Sequence, residues 1–510
     1  MGKALIKSTG TVAGMTMISR LLGFVRDVVI ASYFGAGVGA DAFFLACRIP
    51  NFMRRLFAEG AFSQAFVPML SEYRQKQSHE KVMSFLGHVT GVMILVLSVV
   101  VIIGVVAAPA FIALFAPGFI DDPVRFELAG RMLRICFPYI LFISLTACAG
   151  GILNCYEQFA VPAFTPVMFN ISLISCAVYL SGQLETPIMS LAYGMLVAGI
   201  AQLLFQFPFL KVKNLLPRPR VSFHDEGVNK VLKRMVPAIF GVSLAQINVL
   251  VDVLFASFLS VGSISWLYYS DRLMQLPLGV FGVAVATVVL PHLSRKHSDQ
   301  STEDYSEALD WSVRLMLIIG LPSVIALVFL ATPIMATLFK HGQFTAEDVQ
   351  MASRSLVAFA LGLQFFMLIK VLASGYYAQQ NIKTPVKYAA IAMVVNIIAN
   401  AAFIVPLGHA GIALATSLSG ILNASLLGLG LMRDGVWKPS RAWYKYLGRL
   451  FVGSAFLATW LYFATSSDNI WLVANFKWRL LHLGWLISSG IVIYFGMLLV
   501  SGLRTRDLRI

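Results

Sequence analysis

At 510 residues the chain is 58% hydrophobic, only 12% charged and of mean hydropathy +0.79, which is far more apolar surface than a soluble core of this length can bury, so a soluble globular fold is excluded. The formal net charge of +15 does not mark a nucleic-acid binder, because its Lys and Arg form neither a recognition helix nor a stripe interleaved with aromatics. Five cysteines, Cys47, Cys136, Cys148, Cys155 and Cys176, lie in or at the ends of apolar runs without paired spacing, which excludes a disulfide framework and leaves them as small packing residues.

The opening MGKALIKSTG runs directly into a first apolar stretch at about 11–34. Arg20 stands in its middle, and no short clean apolar core precedes a small-residue cleavage site, so this span is expected to stay in the mature protein. Further stretches of roughly 20 residues, each able to cross about 30 Å of hydrocarbon as helix, follow near 40–70, 84–115, 127–153, 160–181, 186–210, 232–260, 264–291, 311–337, 350–378, 385–406, 410–432, 443–463 and 482–503. Runs such as GVMILVLSVVVIIGVVAAPAFIALF are continuously apolar, whereas barrel strands alternate at period two. The expected fold class is therefore an all-α polytopic membrane protein of about 14 transmembrane helices.

Basic residues collect in alternate loops, among them Lys211, Lys213, Arg218, Arg220, Lys230, Lys233 and Arg234 in one and Arg433, Lys438, Arg441 and Lys445 in another. About two dozen Lys and Arg fall on one side of this topology against about half a dozen on the other, which makes that side, with both termini, cytoplasmic. An internal repeat organises the spans. RDVVIASYFGAG at 26–37 matches VDVLFASFLSVG at 251–262, with Asp27 and Asp252 in register, VPMLS at 67–71 matches LPHLS at 290–294, and Thr165-Pro166-Val167 matches Thr384-Pro385-Val386. Two half-chains of about six helices running the same way are an architecture of secondary transporters. The expected domains are an N-terminal lobe of helices 1–6 at 1–220, a C-terminal lobe of helices 7–12 at 221–435, and helices 13–14 at 436–510. The segment MRDGVWKPSRAWYKY before helix 13 reads as a cytoplasmic linker whose Trp and Tyr suit the interface.

Several ionisable residues fall at membrane depth, where each costs about 2.5–3.5 kcal/mol on insertion scales. They are Arg20, Arg26 and Asp27 in the first span, Asp41, Arg48, Arg54, Arg55 and Glu59 in the second, then Asp252, Asp271, Arg272 and Lys370. At helical spacing Asp41, Arg48, Arg55 and Glu59 fall within about 20° of one line, while Arg54 points elsewhere unless Pro50 kinks or locally unwinds the helix. Arg55 and Glu59, at i,i+4, read equally as a structural pair and as functional residues. Arginines outnumber carboxylates in these two spans, and a buried unpaired cation is expensive, so an anion or water must compensate. Guanidinium pairs phosphate oxygens through two parallel hydrogen bonds, so a polar cavity lined by Arg20, Arg26, Arg54 and Arg272 suits a phosphorylated substrate. No His/Cys/Asp/Glu group has metal-ligand spacing and no Walker-type glycine loop is present, which argues against an ATPase.

The motifs SRLLGFVRD, GADAFFLACRIPNFMRRLFAEGAFSQAFVP, YYSDRLMQLP and QNIKTPVK resemble the MurJ (MviN) lipid II flippase family of the multidrug/oligosaccharidyl-lipid/polysaccharide (MOP) exporter superfamily, and the resemblance covers essentially the whole chain. It implies two six-helix lobes enclosing a central cavity, with two last helices forming a groove for a lipid tail. The implied substrate is undecaprenyl-pyrophosphate carrying the disaccharide-pentapeptide of peptidoglycan, moved by alternating access from the cytoplasmic to the periplasmic leaflet of the bacterial inner membrane. By this resemblance Arg20, Arg26, Arg54, Arg272 and Asp41 bind substrate, while Asp27, Arg55 and Glu59 serve as gate or ion-pair residues. Arg48 stands where the family also accepts Lys. Some members bind Na+, and Asp252, Asn396, Asn400 and Thr416 stand at the matching places, where helix-helix hydrogen bonding by Asn and Thr is an equal reading. No other cofactor is expected; the partners are lipid II, membrane lipids and cell-wall synthesis proteins, with no nucleic acid.

Two rivals make different demands on the sequence. A drug/cation antiporter or another lipid-linked oligosaccharide exporter of the same superfamily is the nearest, and an antiporter for cations would present carboxylates where this chain presents arginines. A membrane-embedded prenyl-phosphate transferase needs acidic metal-binding motifs at a membrane face, whereas Asp121-Asp122 beside Pro123 reads as a loop or helix start. The chain is therefore expected not to be an enzyme.

Overall fold

The computed structural model describes residues 2–282, 289–295, 302–439 and 443–503, which are helical with short connections. Two compact units divide the chain at residues 1–262 and 263–510. This contact boundary falls one helix later than the repeat boundary at 220, so the seventh long helix packs within the first unit.

In the first unit, α1 (Gly2–Phe34) lies against α8 (Ala160–Ser175), and α2 (Val38–Met53) lies against α6 (Pro123–Cys136). The second span is not one α-helix. From Arg54 to Phe62 it winds as a π-helix before resuming as α3 (Ser63–Lys76). Pro50 stands inside α2 four residues before the change, where it cannot donate a main-chain hydrogen bond. The second unit repeats the feature, since α11 (Ser263–Pro277) ends on its proline and continues as a π-helix over Leu278–Gly282. The remaining helices of the first unit are α4 (His79–Val106), α5 (Ala108–Phe115), α7 (Tyr139–Cys155), α9 (Met189–Val212) and α10 (Glu226–Ala256). Stacked aromatics, Phe62 on Phe66 at 4.8 Å, Phe66 on Phe85 at 6.1 Å and Tyr73 on Phe85 at 4.3 Å, tie the π-helix and α3 to α4.

In the second unit, α12 (Thr302–Phe329), α13 (Ala331–Phe339), α14 (Ala346–Tyr377) and the 51-residue α15 (Lys383–Arg433) follow α11. Within α15 Gly408 is non-helical at φ +56, a conformation glycine adopts without strain, and it divides the element into two spans. Thr345 and Asp348 form a reciprocal capping box at the start of α14, and Asp348 also accepts the Trp266 indole N–H at 2.9 Å, which fixes α11 on α14. The chain ends with α16 (Trp443–Ala464), α17 (Asp468–Val473) and α18 (Phe476–Val500). The linker before α16 does more than meet an interface. Asp310 of α12 accepts the indole N–H of Trp437 at 3.1 Å and of Trp443 at 2.5 Å, pairs with Arg314 at 2.8 Å, and Arg314 lies over the Trp443 and Tyr446 rings.

Among the described residues nine helices are long and apolar enough to cross a membrane, α15 counted as one. The expected spans not among them are α1, the α2-to-α3 rod, α10 and the α11 region, which are the spans in which the sequence places most of its intramembrane charge.

Candidate functional site

The first unit holds most of the ionisable residues picked out from the sequence. Arg26 and Asp27 are neighbours on α1, and Arg26 donates from Nε at 3.0 Å and from Nη2 at 2.6 Å to the Oδ1 of a fully buried Asp27. Its third nitrogen, Nη1, donates to Asn170 Oδ1 of α8 at 3.2 Å, and the guanidinium carbon stands 5.6 Å from the Phe169 ring centroid. Asn170 returns its amide to the Ser19 carbonyl at 3.1 Å. A guanidinium held on two sides and against a ring has a fixed plane, the property required for forked phosphate recognition. Arg20, two turns earlier on α1, is exposed.

Arg54 opens the π-helix and donates from Nε to Asn51 Oδ1 at 3.3 Å, while Arg48 donates to the Val249 carbonyl of α10 at 3.4 Å. Arg55 is exposed. The expected line of Asp41, Arg48, Arg55 and Glu59 assumes α geometry throughout, and the π winding ends that geometry at Arg54; the local unwinding that the sequence tied to Pro50 is what occurs. The Glu59 side chain lies outside the described residues.

Asp41 is fully buried at the start of α2 and accepts the Gly262 main-chain N–H at 2.7 Å. Its second neighbour is a residue that the sequence reading missed. Arg125, buried in the first turn of α6, stands 3.9 Å from Asp41, 3.9 Å from Asp122, and 4.1 Å from the Phe119 ring centroid. Asp122 caps α6 by accepting the Arg125 N–H at 3.1 Å, so the pair of aspartates does mark a helix start. The signal that could have found Arg125 is the need of a buried Asp41 for a cation, read together with an arginine in the first turn after that cap.

In the second unit Asp271 and Arg272 sit half-buried on α11, with Gln275 donating to Asp271 Oδ2 at 2.5 Å. Asn396, Asn400 and Thr416 do come together across the two halves of α15: Asn400 donates to Asn396 Oδ1 at 3.1 Å and Asn396 to Thr416 Oγ1 at 3.4 Å. Asp252 lies half-buried on α10 of the first unit. Among the described residues no group of three or more His, Cys, Asp or Glu is placed to hold a metal ion. Lys370 is exposed on α14.

Between α16 and α18 runs an apolar groove of about 470 Å³, lined by Phe456, Trp460, Phe463, Val492, Gly496 and Met497. The helices approach closely at glycines: a Cβ on Gly453 would stand 3.0 Å from Leu498 and one on Gly490 3.0 Å from Leu457.

Comparison with known proteins agrees with this arrangement. The family described as "Lipid II flippase MurJ" matches residues 30–482. The chain is 47% identical to the probable lipid II flippase MurJ of Vibrio cholerae serotype O1, over 99% of this chain and 98% of that one. It is 40% identical to the lipid II flippase MurJ of Burkholderia cenocepacia over 98% of both. A solved lipid II flippase MurJ in an inward closed conformation superposes with TM-score 0.82 at 32% identity, over 98% of this chain and 99% of that one. An inward-facing MATE family transporter of the MOP superfamily shares the fold alone, with TM-score 0.68 at 14% identity over 84% of this chain and 98% of that one. A profile match across most of the sequence and relatives alike from end to end make this chain a member of the lipid II flippase MurJ family.

Proposed function

We propose that this protein is a lipid II flippase, moving undecaprenyl-pyrophosphate-linked disaccharide-pentapeptide from the cytoplasmic to the periplasmic leaflet of the inner membrane by alternating access, and leaving the lipid chemically unchanged. The observation that carries the reading is end-to-end similarity to MurJ flippases in a chain whose first two spans hold Arg20, Arg26, Arg48, Arg54 and Arg55 against Asp27, Asp41 and Glu59. Excess guanidinium at membrane depth calls for an anionic cargo. In this reading Arg20, Arg26, Arg54 and Arg272 take pyrophosphate oxygens, with Asp41 among the substrate residues, while Asp27, Arg55 and Glu59 act as ion-pair or gate residues.

The topology that goes with this function has fourteen spans and cytoplasmic termini. It is supported by the nine apolar helices, by the division of α15 at Gly408, by the charged rods that hydropathy alone passes over, and by the Lys/Arg bias of alternate loops. The groove between α16 and α18 suits the polyprenyl tail, since each buried methylene contributes about 0.8 kcal/mol. A monovalent cation such as Na+ at Asp252, Asn396, Asn400 and Thr416 is the proposed coupling site, on the argument that hard cations take oxygen ligands. Enzymes that build and polymerise cell-wall precursors are the proposed partners.

The test is depletion of the protein in growing cells with lipid II measured in each leaflet. Accumulation in the inner leaflet is expected, and undiminished outer-leaflet lipid II rejects the proposal.

A further inference from the structure

Pro217-Arg218-Pro219-Arg220 is a motif that flipping does not use. It lies in the non-helical stretch between α9 and α10, which is laid as a strap onto α4 of the same unit. The Arg220 main-chain N–H donates to the Gly87 carbonyl at 3.0 Å. Gly87 and Gly91, one helical turn apart, make the room: a Cβ on Gly87 would stand 2.6 Å from the Arg218 carbonyl, and one on Gly91 2.4 Å from that of Arg220. Leu215 is buried at one end of the strap, and at the other Asp225, which caps α10, stands 3.0 Å from His88 of α4. Main chain, Leu215 and Asp225 thus fix the strap.

Both guanidiniums are exposed, and among the described residues neither forms an ion pair, whereas nearby Lys76 and Lys230 pair with Glu72 at 3.0 Å and Glu226 at 2.5 Å. Lys211 and Lys213 before them in the chain and Lys233 and Arg234 after them are exposed as well. Apolar side chains are interleaved with these cations, with Val212 81%, Val221 58% and Phe223 45% exposed. Cations that fork onto phosphate beside apolar side chains that enter the acyl boundary are the composition of an interfacial element. Two prolines restrict the backbone, so presenting the guanidiniums loses little further entropy on binding.

We infer that the strap, together with the last turn of α9 (211–223), is a docking surface for the phosphodiester headgroups of anionic phospholipids in the leaflet beside it. The inference rests on the topology proposed above, which places the strap at the cytoplasmic leaflet, the anionic one.

The test uses the full-length protein in a neutral detergent, titrated with phosphatidylglycerol or phosphatidylcholine of the same acyl chains, with bound lipid counted by native mass spectrometry. Wild type should prefer phosphatidylglycerol. Arg218→Gln with Arg220→Gln should weaken that binding about thirty-fold, the equivalent of about 1 kcal/mol per surface cation, and leave phosphatidylcholine binding and the lipid-free unfolding temperature unchanged. Arg218→Lys with Arg220→Lys should fall between. Undiminished phosphatidylglycerol affinity in the double Gln variant, or equal affinity of wild type for both lipids, overturns the inference. The side of the membrane is read separately: labelling of an Arg220→Cys variant from outside intact cells would reject the topology and leave the affinities in detergent standing.

Discussion

Asp41, with none of its surface exposed, accepts the main-chain N–H of Gly262 at 2.7 Å. Gly262 sits at φ +97, a conformation side-chain-bearing residues rarely adopt, and it is the last residue before α11. One carboxylate therefore satisfies the orphan donor of a glycine turn and faces the buried guanidinium of Arg125 at 3.9 Å. Asp41→Ala leaves both groups without it and should lower stability by about 3 kcal/mol, whereas Asp41→Asn keeps an acceptor oxygen and should lose about 1 kcal/mol. Thermal unfolding of the purified variants checks this, and an Ala variant that melts with wild type rejects the structural role.

The cationic residues give a different pattern. Replacing Arg26, Arg54 or Arg272 by Ala removes a forked partner of pyrophosphate, so lipid II binding to the purified protein should weaken about 30- to 100-fold for each. Lys should recover only part of this, because an ammonium keeps the charge and loses the fork. Arg26→Ala carries a second effect, since it strips the fully buried Asp27 of its 2.6 Å partner, and it should also melt markedly earlier than wild type. Wild-type affinity in all three Ala variants would remove the anion-binding reading.

How far the sequence carried this picture depends on whether a feature is periodic or tertiary. Apolar runs announced the spans, and the described residues within them are largely helical, because a span in lipid must satisfy its backbone within itself. Pro50 announced a break in the second span, but its outcome as nine residues of π-helix is decided by packing that no local pattern encodes. Asn396, Asn400 and Thr416 were picked out together through the family resemblance, and they meet because they lie on two halves of one folded element. Arg125 was not, since its partner Asp41 is 84 positions away and the cost of burying either depends on the other. Trp437 and Trp443 read as interfacial anchors by type; that both indoles turn to Asp310 follows from how the linker crosses α12.

That crossing yields a prediction. Asp310 is the common acceptor for both indoles and the ion-pair partner of Arg314, so it fastens α16 to α12. Asp310→Ala should cost about 2–3 kcal/mol and expose the linker to protease near Trp443, while Asp310→Asn keeps one acceptor and should cost about 1 kcal/mol. Limited proteolysis read alongside thermal unfolding checks it: a linker no more sensitive in the Ala variant than in wild type would dismiss the fastening role.

The groove between α16 and α18 can be blocked without disturbing its walls. A Cβ on Gly496 meets no atom within 4 Å, so Gly496→Phe should fold and melt as wild type does while its ring fills the groove. If the polyprenyl tail lies there, flipping of lipid II in proteoliposomes should slow about tenfold or more, since losing even two buried methylenes is worth about 1.6 kcal/mol. A Phe variant that folds and flips at the wild-type rate would move the tail elsewhere.

The driving force is open to the same kind of argument. An anionic headgroup leaving a negative interior gains about 2.3 kcal/mol per elementary charge per 100 mV if it crosses the full potential, so a pyrophosphate carries enough free energy to be exported without ATP. Arginines that travelled through the field with it would cancel part of that gain. Arginines that keep nearly the same depth while access alternates leave the substrate's charge to decide the direction, and the hold of Asp27 and Asn170 on Arg26 favours this second case. The membrane potential is then expected to favour outward release, with reset governed by the emptied cationic site or by a bound cation. Collapsing the potential with a channel-forming ionophore, while ATP and the pH gradient are held, should trap lipid II in the inner leaflet. Flipping that continues unchanged under those conditions rejects voltage as the driver and shifts the weight to ion exchange at Asp252, Asn396, Asn400 and Thr416, which replacement of external Na+ by a large organic cation would then expose as a loss of transport.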